Sequence, residues 1–594
     1  PYTQILIDSR PVFSALSGVY GLEQIPASMI ERVEVMRGGG SALFGSSAIA
    51  GTINIITKEP LRNSGQLSHT ITSLGGSSSF DNNTSLNASL VTDDHRAGLY
   101  IFGQNRYRSG YDYDGDGFTE LPKLKNQTVG FRSYLKTSTY SKLTFEYHHM
   151  QEFRRGGDML NRPPHEAHIA EQLQHSIDGG SLKFDYFSPD EKNRLSVFAS
   201  AANTDRDSYY GPGNDPLKAY GKTTDLTAMG GAQYVHTFDK CFFMPSDLTA
   251  GLEYNRDRLK DNMWGYNRHT DQTVNIYSAF LQNEWKNDRW GILIGGRLDK
   301  HNMVDNVIFS PRANLRFNPT QNINLRLSYS SGFRAPQAFD EDMHIENVGG
   351  TVAMIERAKD LKEEKSQSFS VSADMYHRFG AFQTNLLIEG FYTRLTDVFV
   401  LGKPYDRGDG ILVKTRSNGP GAKVMGLTLE GKVAYLSILQ IQAGLTLQRS
   451  RYDEPHKWHD DAPAEKKIFR TPDTYGYFTA TCTPIKPLSI ALSGTYTGRM
   501  LVQRMDITAE NAELGKMPER KAEAIRTPRF FDLGVKLAYD FKLYKTVDLQ
   551  LNGGVQNIFK SYQKDFDRGA NRDSGYIYGP SLPRSFFAGV KISY

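Results

Sequence analysis

From about residue 61 onward, apolar and polar residues alternate along extended runs of the chain. The clearest runs lie at 143–148, 323–329, 547–556 and 585–594. A period of two is typical of a β-strand with one apolar and one polar face. Runs of about nine residues suit strands that cross a bilayer, whereas the strands of a β-sandwich average about 5–6. The pattern predicts an all-β transmembrane barrel with its apolar residues towards lipid and its polar residues towards a wet lumen.

The length of this region indicates a large barrel. Residues 64–594, divided among the roughly 22 strands of the larger plugged barrels, leave about 24 residues per strand. About ten of these would cross the membrane, and the rest would form turns and loops. A barrel of 16 strands would need about 33 residues per strand and would carry far more loop. We therefore expect about 22 antiparallel strands.

Long polar segments between the alternating runs are predicted to be loops on one side of the membrane. They lie around residues 104–126, 151–178, 203–222, 255–272, 336–364, 402–420, 451–470, 498–527 and 562–582. Tight turns are expected on the other side, at 287–289 and 318–321, where Asn, Asp and Pro are frequent. Membrane barrels show this asymmetry, with long extracellular loops and short periplasmic turns.

Residues 1–60 have a different texture and predict a small α/β unit. A Pro at position 26 marks a helix start, and residues 38–40 are three consecutive glycines at a turn. Ser41 is expected to cap the short helix that follows. The predicted strands and helix lie at 4–7, 30–36, 41–44 and 52–57.

Composition removes several other classes of protein. The 594 residues contain two cysteines, too few for a disulfide framework, and no run of about 18 apolar residues that could form a membrane helix. The formal charge of +4 gives no support for nucleic-acid binding. The mean hydropathy of −0.50 suits a barrel, in which only alternate residues face lipid.

Several segments resemble the TonB-dependent receptors of the outer membrane of Gram-negative bacteria. Residues 30–58 and 5–12 are similar to the C-terminal half of the plug of these receptors. The similarity continues into the barrel at 332–336, 361–366, 557–559 and the last strand, which ends in Tyr594. The chain is most similar to cobalamin and haem receptors of the Bacteroidota type.

The resemblance implies a fold, a location and partners. Residues 1–60 would be the C-terminal half of a plug inside the lumen, and residues 61–594 would be the barrel. The chain would be N-terminally truncated, and the intact protein would contact TonB through a segment that precedes residue 1. Energy from TonB would drive import of a bulky metal chelate, and a surface lipoprotein is a further expected partner. A passive porin and an adhesin-like surface protein are the competing hypotheses.

The glycine turn and its charged neighbours have a structural interpretation in this family. Gly45 is followed by Ser46 rather than the Lys of a phosphate-binding loop, so we interpret the glycines as a tight turn at which backbones approach closely. The family resemblance implies that Arg32, Glu34 and Arg37 contact the inner barrel wall. The alternative is that they only keep a strand edge soluble.

An acidic run in the first long loop is a candidate metal site. Asp112, Asp114 and Asp116 alternate around glycines, and hard cations such as Ca²⁺ prefer oxygen ligands in this arrangement. The Glu that an EF-hand requires is replaced by Lys123, but Glu120 could substitute. Cobalamin receptors of the family order their outer loops with calcium. An acidic turn without a metal is the alternative.

The candidate ligand-binding residues are Phe333, Arg334, His344, Tyr576 and Tyr578. Haem receptors of the family have an aromatic-Arg-Ala-Pro box followed by a His, and then an Asn-Pro-x-Leu box that is missing here. Aromatic loops suit flat macrocycles, although such residues can also pack within their own loop. We expect cobalamin as the first candidate cargo and haem as the second, with a ferric siderophore as the family default. No organic cofactor and no catalytic activity are expected, since no hydrolase motif occurs.

Overall fold

The computed structural model describes residues 3–10, 25–46, 48–212, 219–348, 351–409, 411–507, 520–570 and 572–594. Residues 11 and 12 of the family-like segment, and the middle parts of the predicted loops 203–222 and 498–527, lie outside the described residues. Among the residues described, no helix is long and apolar enough to cross a lipid bilayer.

β-Strands make up most of the structure. They are β1 (Thr3–Ile7), β2 (Ile30–Arg37), β3 (Gly51–Thr57), β4 (Ser64–Ser73), β5 (Phe80–Val91), β6 (Ala97–Arg108), β7 (Lys123–Ser138), β8 (Ser141–Gly157), β9 (Ile169–Phe187), β10 (Asn193–Pro212), β11 (Tyr220–Cys241), β12 (Met244–Met263), β13 (Arg268–Lys286), β14 (Trp290–His301), β15 (Ile308–Thr320), β16 (Ile323–Arg334), β17 (Glu346–Val348), β18 (Thr351–Arg357), β19 (Glu364–Phe379), β20 (Phe382–Thr396), β21 (Phe399–Leu401), β22 (Tyr405–Asp406), β23 (Leu412–Asn418), β24 (Ala422–Tyr435), β25 (Leu439–His456), β26 (Glu465–Lys467), β27 (Thr474–Ile485), β28 (Leu488–Thr497), β29 (Leu501–Ile507), β30 (Arg520–Arg526), β31 (Phe530–Tyr544), β32 (Val547–Gln556) and β33 (Ser585–Ser593).

These strands form a closed antiparallel barrel that runs in chain order from β4 to β33. The last strand, β33, pairs with β4 and closes it. The three-residue β26 adds only an edge at the rim, because β25 and β27 also pair directly. Without β26 the barrel has 22 strands. The predicted fold class, a large all-β transmembrane barrel, is confirmed.

Side chains alternate across the barrel wall as the sequence pattern predicts. Leu327, Leu551 and Phe586 of the alternating runs have about half of their surface exposed on the outer, lipid-facing side. Short turns lie at one end of the barrel, and 287–289 is one of them, as predicted. The second predicted turn was misplaced, because Thr320 still pairs with Ile323 and the turn falls at 321–322.

The barrel strands extend farther from the membrane than predicted. Strands β8 to β13 have between 17 and 22 residues each. The predicted loop at 255–272 is therefore wrong for most of its length, since Gly221 is still paired with Met263. Above the membrane both faces of a strand meet water or loops, so the polar side chains there resemble a loop although the hydrogen-bond ladder continues.

The described part of the N-terminal unit, residues 3–10, 25–46 and 48–57, lies inside the barrel. Its sheet has the order β1-β3-β2, with β1 parallel and β2 antiparallel to β3. Helix α1 (Ser41–Phe44) and a 3₁₀ turn (Ala27–Met29) complete it, so the predicted elements are present. The predicted cap was wrong, because Gly40 occupies the N-cap position and Ser41 is the first helical residue.

Smaller elements cover the extracellular end. Helix α2 (Asp340–Met343) and a mixed sheet of β17, β18, β23, β21 and β22 lie between β16 and β24 in the chain. This sheet packs on the ends of long strands through a buried apolar cluster that includes Tyr209, Met263 and Met354. Three further 3₁₀ turns are Leu74–Gly76, Pro164–Glu166 and Trp264–Tyr266.

Candidate functional site

The glycine turn of the N-terminal unit lies directly against the barrel backbone. The Gly39 N–H donates to Ser368 Oγ at 3.1 Å. A Cβ on Gly39 would lie 2.7 Å from the carbonyl carbon of Ser331, and one on Gly332 would lie 2.7 Å from the Ala48 oxygen. Only glycine fits on either side of this contact, because the neighbouring atoms are backbone and cannot rotate away.

Hydrogen bonds fix helix α1 and its connections to the same part of the wall. Ser41 Oγ accepts the N–H of Phe333 at 3.0 Å, and Ser366 Oγ donates to the Ile49 oxygen at 2.6 Å. On β14, Arg297 is 3.4 Å from the Leu43 oxygen, at the C-terminal end of α1. Ser41 thus serves the contact between unit and barrel rather than capping its own helix.

Arg132 on β7 makes several charged contacts with the unit and with the segment that follows β3. Its guanidinium pairs with Asp8 at 2.8 Å and Glu59 at 3.1 Å, and it also contacts the Thr57 hydroxyl. Glu146 on the neighbouring strand lies 2.9 Å away. Sequence reasoning missed Arg132, since its partners are distant in the chain and no local pattern connects them.

Arg32, Glu34 and Arg37, which were expected to contact the inner barrel wall, differ in their partners. Arg37 pairs with Glu389 of β20 at 2.7 Å. Arg32 and Glu34 instead pair with each other at 2.8 Å, and Glu34 also accepts the Asn54 side-chain N–H at 3.3 Å. Of the three side chains, Arg37 is thus the one that bonds to the barrel.

Replacing Arg37 by Gln should have a small effect. Half of the Arg37 side chain is exposed, so water screens its pair with Glu389. The expected change in the free energy of unfolding is within about 1 kcal/mol. Denaturant titration of Arg37→Gln against the unaltered protein measures this change. A loss of several kcal/mol would contradict the interpretation of Arg37 as a screened contact.

Phe333 and Arg334 are buried at the extracellular end of β16. Their side chains are 0% and 2% exposed. The Arg334 guanidinium contacts Glu341 and lies 4.0 Å from the centre of the Phe339 ring. In this arrangement neither residue is accessible to a ligand. Arg334 ties α2 to the barrel, whereas Phe333 packs against Val304 and Ile308.

His344 lies in the loop after α2, and about a third of its side chain is exposed. Its ring meets the edge of Tyr210 at 5.3 Å between centres, and its Nδ1 is 4.0 Å from Glu171. Of the five predicted ligand-binding residues, His344 is the most accessible. Its role as a haem ligand stays a prediction.

The acidic run at 112–120 forms a compact turn in the first long loop. Side-chain oxygens of Asp112, Asp114 and Asp116 all lie within 4.8 Å of one another. Glu120 does not belong to this group. It accepts the Tyr113 N–H at 2.6 Å, and burial raises its pKa.

Two arginines of the last extracellular loop already pair with these carboxylates. Arg568 contacts Asp114 at 3.0 Å, and Arg572 contacts Asp116 at 2.6 Å and Glu120 at 3.2 Å. Although burial alone would raise the pKa of Asp116, N–H groups and Arg572 hold it below its ordinary value. The turn therefore clamps the first long loop to the last, and a cation here would compete with guanidinium groups.

Tyr576 and Tyr578 are buried within the last extracellular loop. Their side chains are 1% and 7% exposed, and both hydroxyls donate to the carboxylate of Asp565. Burial, together with the bond to Asp565, raises the pKa of Tyr576 to about 12. The two rings pack against Met500, Val502 and Phe530, so they are buried between neighbouring segments of the extracellular end.

Cavities lie beside the N-terminal unit in the lumen. One of about 670 Å³ is bounded by Asp8, Arg132 and Glu146, and one of about 500 Å³ is bounded by Arg37 and Phe391. The polar contacts between unit and wall therefore border open space.

Two family models match the chain. One, described as "TonB dependent receptor-like, beta-barrel", covers residues 54–558, and the other, "TonB-dependent Receptor Plug Domain", covers residues 1–52. The matches follow one another along the chain and together span most of it. They correspond to the barrel and to the unit inside it.

The curated relatives that match the chain are named either as vitamin B12 transporters or as iron-regulated virulence proteins. The chain is 23% identical over 352 residues to the vitamin B12 transporter BtuB of Vibrio vulnificus. This alignment covers 56% of this chain and 52% of the relative. It is 27% identical over 357 residues to the iron-regulated outer membrane virulence protein of Vibrio cholerae, covering 57% of this chain and 50% of the relative. The matches thus extend over about half the length of these relatives.

Solved structures share the fold. The siderophore receptor PirA from Acinetobacter baumannii gives a TM-score of 0.77 at 17% identity, covering 100% of this chain and 90% of that one. A mutant ferric enterobactin receptor from Pseudomonas aeruginosa, bound to enterobactin, gives 0.76 at 18% identity, covering 100% and 92%. At this level of identity the similarity concerns the fold alone.

Proposed function

The chain belongs to the TonB-dependent receptor family of the outer membrane, and on that premise we propose that it imports a bulky metal chelate with energy from TonB. Cobalamin is the first candidate cargo. Contact with TonB, through a segment N-terminal to the plug, stays an expectation from the family resemblance. A surface lipoprotein partner stays an expectation from the family resemblance.

The observation that carries the proposal is the way the plug is held. A folded unit lies inside a closed barrel and is fixed by hydrogen bonds and ion pairs, such as those of Arg132 and Arg37. Screened contacts such as the half-exposed Arg37 pair can be exchanged for water at modest cost in a wet lumen, unlike a continuous apolar interface. The less exposed Arg132 cluster costs more to open. A pulling force can therefore move the plug while the barrel stays intact.

The choice of cargo rests on the relatives. Two curated relatives are named as vitamin B12 transporters, at 23% and 25% identity. The second candidate is a ferric siderophore, supported by the relatives named as iron-regulated virulence proteins. Loops select the cargo and vary freely between relatives, so binding measurements on the purified protein are needed to choose between these candidates.

Most of the predicted ligand-binding residues are buried, so the loops around them would have to rearrange before a ligand could contact them. His344 is already accessible, whereas Arg334 and Tyr576 would become accessible only if their loops rearranged. Ca²⁺ in the acidic turn would have to displace Arg568 and Arg572. A calcium-dependent affinity for cobalamin, lost in Asp114→Ala, would support such an exchange.

Uptake and binding measurements test the function and the cargo separately. Cells that express the full-length protein should take up labelled cobalamin when TonB is present and fail to do so without it. Uptake that does not depend on TonB would instead indicate a passive porin. Binding of cobalamin, haem and a ferric siderophore to the purified protein then ranks the cargo. A haem Soret shift that disappears in His344→Ala would favour haem.

A further inference from the structure

Three basic residues stand side by side on the outer surface of the barrel. Arg394 of β20 is the register partner of Lys423 of β24, which is in turn the partner of Arg451 of β25. They face outward, because Lys423 shares its side of β24 with Met425 and Leu427, which are 42% and 40% exposed. Arg394 and Arg451 are exposed as well.

The position of these residues along their strands fixes their height in the membrane. Each of the three lies twelve residues from the periplasmic end of its strand. At that end, Phe382 and Tyr435 contact each other at 4.7 Å between ring centres. A tilted strand crosses the hydrocarbon core in about 9–11 residues. The basic residues therefore lie just beyond the core on the extracellular side, at the level of lipid headgroups.

Charges at these positions are only partly compensated within the protein, because a single carboxylate, Asp453, acts on both Lys423 and Arg394. Like charges directly opposite each other on neighbouring strands destabilise a sheet. Lys423 has one ion pair, with Asp453 at 2.8 Å. Within the described parts of the chain, no ion pair involves Arg394, Arg449 or Arg451. Arg449 faces outward too, as the register partner of Met425, and extends the cluster towards the membrane.

We propose that this surface, the basic rung formed by Arg394, Lys423, Arg449 and Arg451, binds the phosphate groups of lipopolysaccharide in the outer leaflet. Arginine side chains bind phosphate through two parallel N–H···O bonds, which would relieve the repulsion between the like charges. Basic clusters beside a membrane attract anionic headgroups in the same way.

A lipid fits this surface better than a soluble protein. Directly below the basic rung, Met425, Leu427 and Leu447 form an apolar strip in which each residue is at least 40% exposed. The acyl chains of a phosphorylated glycolipid can lie along that strip while its phosphates reach the arginines. A protein partner would have to cover the same apolar strip within the lipid phase.

Photo-cross-linking in defined bilayers tests the proposal. The full-length protein, with benzoylphenylalanine in place of Met425, is reconstituted in nanodiscs of phosphatidylcholine that contain a small fraction of bisphosphorylated lipid A. We expect a lipid A adduct by mass spectrometry. The double variant Arg394→Gln/Arg451→Gln should reduce its yield about 25-fold, since each basic residue near an anionic surface contributes about a fivefold factor and the two factors multiply.

Two controls make the result specific. Lys486→Gln/Lys545→Gln removes the same charge from exposed periplasmic turns and should leave the yield unchanged. The second control uses lipid A without phosphate groups and the unaltered protein. Its cross-linking yield should be as low as the yield of bisphosphorylated lipid A with the double variant. Equal yields with and without phosphates, or with and without the arginines, would overturn the proposal. So would an adduct in whole cells that contains a protein instead of lipopolysaccharide.

Discussion

Replacing Arg132 by alanine in the full-length protein will loosen the plug and make the closed barrel leak. The Arg132 side chain is 14% exposed and lies among the carboxylates of Asp8, Glu59 and Glu146. Without the guanidinium, these carboxylates repel each other. Lys142 contacts Glu59 alone, and Arg10 acts on Asp8 and Glu146 without forming an ion pair with either. Removing one partner from a largely buried charge cluster costs about 2–4 kcal/mol, which is far more than the screened Arg37 pair is worth.

The leak should be visible in two measurements. In planar bilayers the unaltered protein should stay closed, whereas Arg132→Ala should show discrete conductance steps. Cells that express the variant should become sensitive to large antibiotics that the outer membrane normally excludes. Arg326→Ala is the matched control, because the Arg326 side chain donates to Asn324 of its own strand. Equal conductance for the Arg132 and Arg326 variants would mean that Arg132 does not hold the plug.

Alternation along the chain predicted the barrel but not the length of its strands. Within the membrane, lipid on one side and a wet lumen on the other impose a period of two, as on Leu551 and its neighbours. Above the membrane that contrast disappears, and residues such as Asp257 and Asp261 of β12 look like loop although they are buried within a paired strand. The backbone hydrogen bonds between strands do not depend on side-chain polarity. Composition alone therefore cannot predict the residue at which a strand ends.

The candidate site was less predictable because its contacts join distant parts of the chain. The glycine turn was recognisable, since a run of glycines at a turn implies a close approach of backbones. Its partner Gly332, and the Arg132 cluster, depend on the register between plug and wall, which no local pattern encodes. Tyr576 and Tyr578 show the converse case. Aromatic content suggested a ligand surface, but both hydroxyls bond to Asp565 and both rings are buried against Met500, Val502 and Phe530.

Replacing Gly39 by valine should displace the plug from its seat. Even a single added carbon would lie within 3.0 Å of the Ser331 carbonyl group and the Gly332 nitrogen, all of them barrel backbone. Because a paired barrel strand cannot move, the plug must shift and lose the bond from Gly39 to Ser368. Overpacking of this kind costs about 1–3 kcal/mol. Hydrogen exchange should therefore show faster exchange over β2, α1 and β3, with the barrel strands unchanged.

A change on the opposite side of the same contact separates a seating effect from a local folding defect. Gly332→Ala leaves the plug sequence intact, yet its Cβ would lie 2.7 Å from the Ala48 oxygen. If the seat is the cause, this barrel variant should also increase exchange in the plug. Gly431→Ala on β24 is the control, since no atom lies within 4 Å of the added carbon. The contrary outcome is faster hydrogen exchange of the plug in Gly39→Val but unchanged exchange of the plug in Gly332→Ala. That result would show that the valine disturbs only the glycine turn itself.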